Sequence, residues 1–180
     1  MIKIYINAAH TSFSPGGVWG ERTEHEDMLK FTRMLSIELE RDPDISCKVF
    51  TGDLRKTFTG YDVVLSFHRG TNIKNSEKHG AQVFVQENAS ADIQYEAFRL
   101  LESISSEKYF RMLGVHTATS KNIPASINHT GCERTFLFHI GFIDSQRDNR
   151  LFDSCYEELA RELSERIKEV FKEEKNEDNT

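Results

Sequence analysis

The chain has 180 residues, of which 38% are hydrophobic and 29% charged, and a formal net charge of -6. That length suits one domain that buries a core without disulfide or metal staples, and the balance excludes a disordered or membrane-spanning chain. Nucleic acid is excluded as a partner, because such a surface needs clustered Lys and Arg, and here the basic residues are scattered among more numerous acids.

Ile2, Ile4 and Ile6 alternate with Lys3, Tyr5 and Asn7, the period of a strand, and His10 follows. A Ser/Pro/Gly-rich loop runs from Thr11 to Gly20. Thr23 and Glu26 form a capping box, and Met28, Phe31, Leu35 and Leu39 share one face of the helix it opens, expected over Glu24 to Arg41. Cys47 to Phe50 and Asp62 to Phe67 read as strands, the second apolar enough to be central in the sheet, with His68 at its end. Ala81 to Val85 is a further strand. Ser90 caps a helix carrying Ile93, Ala97, Leu100 and Ile104. Gly114 to Asn122 is polar and carries no assignable period. Thr135 to Ile140 is the last strand and includes His139. A final helix, expected from about Asp148 to Phe171, packs Cys155, Leu159, Leu163, Ile167 and Val170.

Strands alternating with amphipathic helices predict an α/β fold, an open twisted, mostly parallel sheet of about six strands with helices on both faces. With no repeat or linker, residues 1–172 form one domain and 173–180 a polar tail expected to fray. Cys47, Cys132 and Cys155 are odd in number and lack Cys-x-x-Cys spacing, so buried free thiols are expected. Met1 leads straight into a strand with no basic leader or long apolar stretch. The expected location is therefore cytoplasmic as synthesised, with no membrane span, and any action outside the cell follows release by another route.

Strand ends line the ligand crevice of an open α/β sheet, so His10, His68 and His139 converge. Two imidazoles and a carboxylate are the usual protein ligands of catalytic Zn²⁺, and Glu24, at the mouth of the first helix, can supply the carboxylate. Its position is equally explained by the helix dipole, and His10 and His68 by ordinary hydrogen bonding. His25, His79, His116 and His129 follow no apolar run and are expected at the surface or in loops. Nothing pairs Cys132 with a histidine as a nucleophile. Ser14 to Gly20 lacks the Lys-Ser/Thr ending of a P-loop.

The segments Ile6-Asn7-Ala8-Ala9-His10-Thr11, Gly20-Glu21-Arg22-Thr23-Glu24, Val64-Leu65-Ser66-Phe67-His68, Gly80-Ala81-Gln82-Val83-Phe84-Val85 and Leu137-Phe138-His139-Ile140-Gly141-Phe142-Ile143-Asp144 follow one another in a familiar order. From Ile2 to about Ile167 the chain resembles the zinc-dependent N-acetylmuramoyl-L-alanine amidases of amidase family 3, in particular the single-domain form of clostridial phage endolysins. The resemblance implies one zinc per chain on His10, Glu24 and His68. It also implies hydrolysis of the amide between N-acetylmuramic acid and L-alanine, with peptidoglycan or a muropeptide as substrate.

Three departures stand at the site. Ala9 replaces a glycine of the family, Arg69-Gly70 replace the residues that usually follow the second histidine, and His139 replaces a catalytic glutamate that acts as general acid/base. Three roles are open to His139: a substitute base, a fourth zinc ligand that closes the site, or a bystander in a catalytically impaired relative that binds zinc or muropeptide. Glu133 and Asp144 are the nearest other carboxylates, and Glu133 lies about 20 Å back along the strand if extended. A hydrolase of another amide is a further reading, in which Arg69 meets an anionic substrate.

Overall fold

The computed structural model describes residues 1–52, 54, 57–72, 77–119 and 125–177, with side chains as far as Lys172. In chain order the elements are β1 (Ile2–Ala8), β2 (Val18–Trp19), β3 (Arg22–Thr23), α1 (Glu24–Leu39), β4 (Ile45–Thr51), β5 (Val63–Gly70), β6 (Ala81–Val85), α2 (Ala91–Ser103), β7 (Met112–Thr117), a 3₁₀ turn (Ala125–His129), β8 (Thr135–Phe142) and α3 (Gln146–Glu177). Six strands form one sheet in the order β4-β1-β5-β8-β6-β7, and β2 pairs with β3 in a separate ribbon. Strands β4, β1, β5 and β8 are mutually parallel, β6 runs antiparallel to β8, and β7 is parallel to β6. The mostly parallel α/β sheet expected from the sequence is the sheet observed.

Alternation sorts the side chains onto two unequal faces. Ile4 and Ile6 of β1, Leu65 and Phe67 of β5, and Phe136 and Phe138 of β8 pack with Met28 and Phe31 of α1, Leu100 of α2 and Phe152 and Leu163 of α3. All three α-helices thus share one core. Tyr5, Val64, Phe84 and Leu137 point the other way, where Leu54, Phe58, Ala118, Ile127 and Cys132 cover them. Among the described residues, one 3₁₀ turn and loops cover that face in place of the expected helices. His68 and His139 point the same way as Val64 and Leu137 and are half-buried.

Helix caps follow the sequence: Thr23 Oγ1 accepts from the Glu26 N–H and Ser90 Oγ from the Ile93 N–H, each at 3.3 Å. Strand β7 has no counterpart among the predicted elements. It is a half-buried edge strand in which Gly114 adopts φ +112° and the register with β6 shifts, so the alternation that marks a strand is lost. α3 continues past the expected Phe171 to Glu177, and residues 178–180 of the tail lie outside the described residues. Cys47 and Cys132 are buried free thiols, as expected, while Cys155 is half-buried. No helix among the described residues is long and apolar enough to cross a membrane.

Candidate metal centre

β1 delivers His10 to the end of the sheet, and the backbone there leaves the ordinary regions. His10 has φ +66°, the only positive value at a non-glycine residue among those described. A left-handed side-chain-bearing residue is disfavoured by about 1–2 kcal/mol, so its surroundings must hold it. The Ala9 N–H donates to Phe67 O at 3.1 Å, and the Ala9 carbonyl faces His25 Nδ1 at 3.3 Å, which therefore carries the hydrogen. His25, expected at the surface, is buried in the first turn of α1. The loop folds back over that turn, which no local pattern around residue 25 announces. Ala9, in the family's glycine position, is fully buried with a negative φ, and the unusual angle falls one residue later.

Glu24 opens α1 and is buried beneath the loop. Its Oε2 accepts from the Gly17 N–H at 2.9 Å and its Oε1 from the Arg69 N–H at 3.1 Å. His10 Nε2 lies 3.2 Å from Oε2, and His68 Nδ1 lies 2.9 Å from Oε1. Burial opposes ionisation of this carboxyl, but the His10 and His68 hydrogen bonds and the Gly17 N–H outweigh it and hold it well below the usual carboxylate range. Gly16, at φ +75°, closes the cradle. A Cβ there would stand 2.3 Å from His10 Cδ2 and 2.6 Å from Glu24 Oε2, so glycine is required by space as well as by angle.

His68 stands on β5 with its ring nearly perpendicular to that of His10, the centroids 5.3 Å apart. One donor atom from each of His10, Glu24 and His68 lies within 4.8 Å of the others, so the group can hold a metal ion. Two nitrogens and an ionised oxygen, with backbone N–H groups fixing the carboxylate, are the donor set and outer support that a divalent transition metal takes.

His139 is the register partner of His68 on β8, and the rings are 6.0 Å apart. It is not among the three donors, which leaves the fourth-ligand role without geometric support. Its ring packs against Phe84 at 5.2 Å, and the Gln82 amide nitrogen donates to Nδ1 at 3.0 Å. Burial pushes its pKa down to about 3, helped by His68 and His116 and opposed by Glu24. The imidazole is therefore neutral near pH 7, with its proton on Nε2.

Sequence and structure part company around these residues. Alternation along β5 sends Arg69 to the helix face with Leu65 and Phe67, where Nη1 meets Asp27 at 2.5 Å and Nη2 meets Asn149 Oδ1 at 2.7 Å and Phe142 O at 3.2 Å. Fully buried there, Arg69 does not meet an anionic substrate. Asp144 accepts from the backbone and side-chain amides of Asn72 at 3.0 and 2.9 Å, which ties down the chain beyond Gly70. Glu133 is exposed just before β8, and the Cys132 thiol faces the Tyr61, Asp62 and Arg134 carbonyls, at the opposite end of the sheet from His68. Burial raises the pKa of that thiol, and the nucleophile reading gains nothing. The sequence reading gave Gly16, His25 and Gln82 no role at the site, although a Gly-Gly pair midway between His10 and Glu24 was a signal for the first.

No protein-family model and no curated protein matches the sequence. Solved structures do share the fold. An N-acetylmuramoyl-L-alanine amidase from Clostridium difficile 630 has a TM-score of 0.76 at 17% identity, over 94% of each chain. The CwlD amidase from Clostridioides difficile, solved in complex with the GerS lipoprotein, scores 0.78 at 15% identity over 96% of this chain and 99% of that one. The catalytic domain of an endolysin targeting Clostridia difficile scores 0.71 at 15% identity, over 93% and 97%. The fold of these amidases is the fold of this chain.

Proposed function

We propose that this protein is a zinc-dependent hydrolase of the amide between N-acetylmuramic acid and L-alanine in peptidoglycan, acting at the cell wall. One Zn²⁺ per chain is held by His10, Glu24 and His68, His139 is catalytic beside it, and residues 1–172 form the catalytic domain with 173–180 as a polar tail. The observation that carries the reading is the His10–Glu24–His68 cluster at the strand ends of a fold shared with peptidoglycan amidases.

When bound, zinc polarises an amide carbonyl and makes water acidic enough to attack near neutral pH. The chain's own residues supply the rest. Glu24 stays ionised, and the Gly17 and Arg69 N–H groups keep its two oxygens directed at the histidines. The His25 hydrogen bond to Ala9 O supports the left-handed turn that aims His10. Gln82 fixes the tautomer of His139, so Nε2–H is a hydrogen-bond donor for negative charge that develops on the amide oxygen.

One observation favours a second reading, a catalytically impaired relative that keeps the metal and binds muropeptide. A histidine with a pKa near 3 accepts a proton poorly, and proton transfer from water was the task of the carboxylate it replaces. Stem-peptide release from purified peptidoglycan by the zinc-loaded protein separates the two. Wild-type activity that falls about 100-fold or more in His139→Ala supports the catalytic role. Activity in His139→Glu alone makes the natural chain the impaired relative. If no variant cleaves any wall type, the amidase reading is lost.

A further inference from the structure

The loop that supplies the metal donors also displays apolar surface that the fold leaves uncovered. Of the eight large hydrophobic side chains exposed among the described residues, three lie between residues 13 and 19: Phe13 is 99% exposed, Val18 55% and Trp19 53%. Their backbone is well tied. Thr11 and Ser14 hydrogen-bond to each other in both directions at 3.1 Å, and Thr11 Oγ1 also accepts from the Ser14 N–H, so Phe13 sits at the tip of a closed turn just beyond His10. Val18 and Trp19 pair with Thr23 and Arg22 in a ribbon that leads directly into Glu24. One arm thus follows the first metal donor and the other precedes the second.

The chemistry of these arms narrows what covers them. Thr11 to Gly20 contains no Asp, Glu, Lys, Arg or His, in a chain that is 29% charged, and Arg22, which pairs with Trp19 in the ribbon, is held by Asp27 and Asp153, whereas Glu77, Lys78 and His79 follow His68. Apolar arms that dock on a membrane surface are accompanied by Lys and Arg, and a stem peptide with its free carboxylates and amines calls for charged partners. A pyranose is polar at its rim and apolar on its C–H faces, so it suits a flat aromatic ring and needs no charge.

We propose that the Phe13 turn and the Val18–Trp19 ribbon form a carbohydrate platform on which sugar rings of a glycan strand stack. This places the glycan over the β1–α1 loop and the peptide stem toward Glu77, Lys78 and His79. The assignment rests on the amidase reading for the identity of the sugar and the direction of the strand.

Trp19 is the only tryptophan in the chain, so its fluorescence reports on the platform alone. The full-length, zinc-loaded protein is titrated with peptide-free N-acetylglucosamine–N-acetylmuramic acid oligosaccharides, which contain no amide for an amidase to cleave at the stem position. The expected result is a saturable change in emission, with half-saturation at least tenfold weaker in Phe13→Ala while its circular dichroism and metal content match wild type. Absence of a saturable response to the oligosaccharides overturns the platform. A shift with phosphatidylglycerol vesicles alone assigns the arms to a membrane surface, and a shift with protein concentration alone assigns them to a second copy; either result overturns it too. Glycan binding by a protein that cleaves no muramoyl amide keeps the platform and removes the amidase reading. Wall hydrolysis without any glycan response does the reverse.

Discussion

Glu24 and Asp27 stand three residues apart on the first turn of α1, and each carboxylate bridges two nitrogen bases. Glu24 lies between His10 and His68; Asp27 lies between Arg22 Nε, at 2.7 Å, and Arg69. Two of the partners, His68 and Arg69, are successive residues of β5 pointing to opposite faces, so one turn of helix clamps the same strand twice. The difference is in the bases. Guanidinium keeps its charge and offers only donors, so the Asp27 cluster is held within the protein, with Asn149 and Phe142 O accepting from Arg69 Nη2, Phe152 beneath the guanidinium at 4.9 Å and the buried Arg69 Nε left without a partner among the described residues. Imidazole exchanges its proton and offers a lone pair, so the Glu24 cluster can trade protons for a metal ion. The first is a lock and the second a socket.

Emptying the socket has the largest expected effect. His10→Ala, His68→Ala or Glu24→Ala should reduce bound zinc from about one per chain to almost none by elemental analysis after dialysis, and wall hydrolysis should fall by about 1000-fold or more. The metal-free proteins should still unfold cooperatively, since the lock is untouched. A variant that retains a full equivalent of zinc would break the assignment of that residue. Opening the lock comes next. Arg69→Met strands a buried carboxylate and should cost about 3–5 kcal/mol in urea unfolding, and adding Asp27→Leu should return part of that loss. A cost below about 1 kcal/mol would mean that Arg22 alone satisfies Asp27.

The socket was more legible in the sequence than the lock, for a physical reason. His10 follows an alternating strand and His68 a continuous apolar one, and strand ends meet wherever a parallel sheet is formed, so their convergence can be inferred from Ile2 to Ile6 and Val63 to Phe67 alone. Glu24 needed the family resemblance, because a helix-dipole role predicts the same residue in the same place. Arg69 lies beside His68 and looks equally available to a ligand; the expected strand ended at Phe67, whereas β5 runs on to Gly70 and its alternation turns Arg69 inward with Leu65 and Phe67. His25 is obscured too, by the fold-back of a loop whose Pro15 carbonyl meets the His25 N–H. The uneven helix distribution escaped notice because amphipathic periodicity says that a helix packs on a sheet, not on which face.

Between lock and socket lies the lining supplied by Gly16, whose replacement sharpens the contrast at smaller amplitude. Gly16→Ala should weaken zinc binding by about 10–100-fold, since the new methyl displaces the His10 ring and the Glu24 carboxylate together. It should also lower the stability of the metal-free protein by about 1–2 kcal/mol through its left-handed backbone. Loss of stability with unchanged zinc affinity would show that the cradle tolerates a shifted donor.

Acid should separate the two clusters most finely, because guanidinium does not titrate and imidazole does. His139 faces His68, Glu24 and His116, and in the fold its pKa drops from the ordinary 6.5 to about 3. Between those values the unfolded chain binds a proton that the folded chain refuses, so stability is full above pH 6.5 and declines as the pH falls toward 3. Glu24 acts in the same direction but only below its ordinary 4.5, where the unfolded carboxyl begins to take up its proton. The share of the loss between pH 7 and pH 5 that the His139→Gln variant escapes therefore belongs to His139. In EDTA, urea unfolding of the wild type should lose about 1–2 kcal/mol between those pH values, and His139→Gln should lose less. An equal loss in both proteins would mean that His139 takes up its proton as readily in the fold as in the unfolded chain. Its burial beside Phe84 and Gln82 would then no longer account for a neutral ring, and the donor role of Nε2–H would lose its basis.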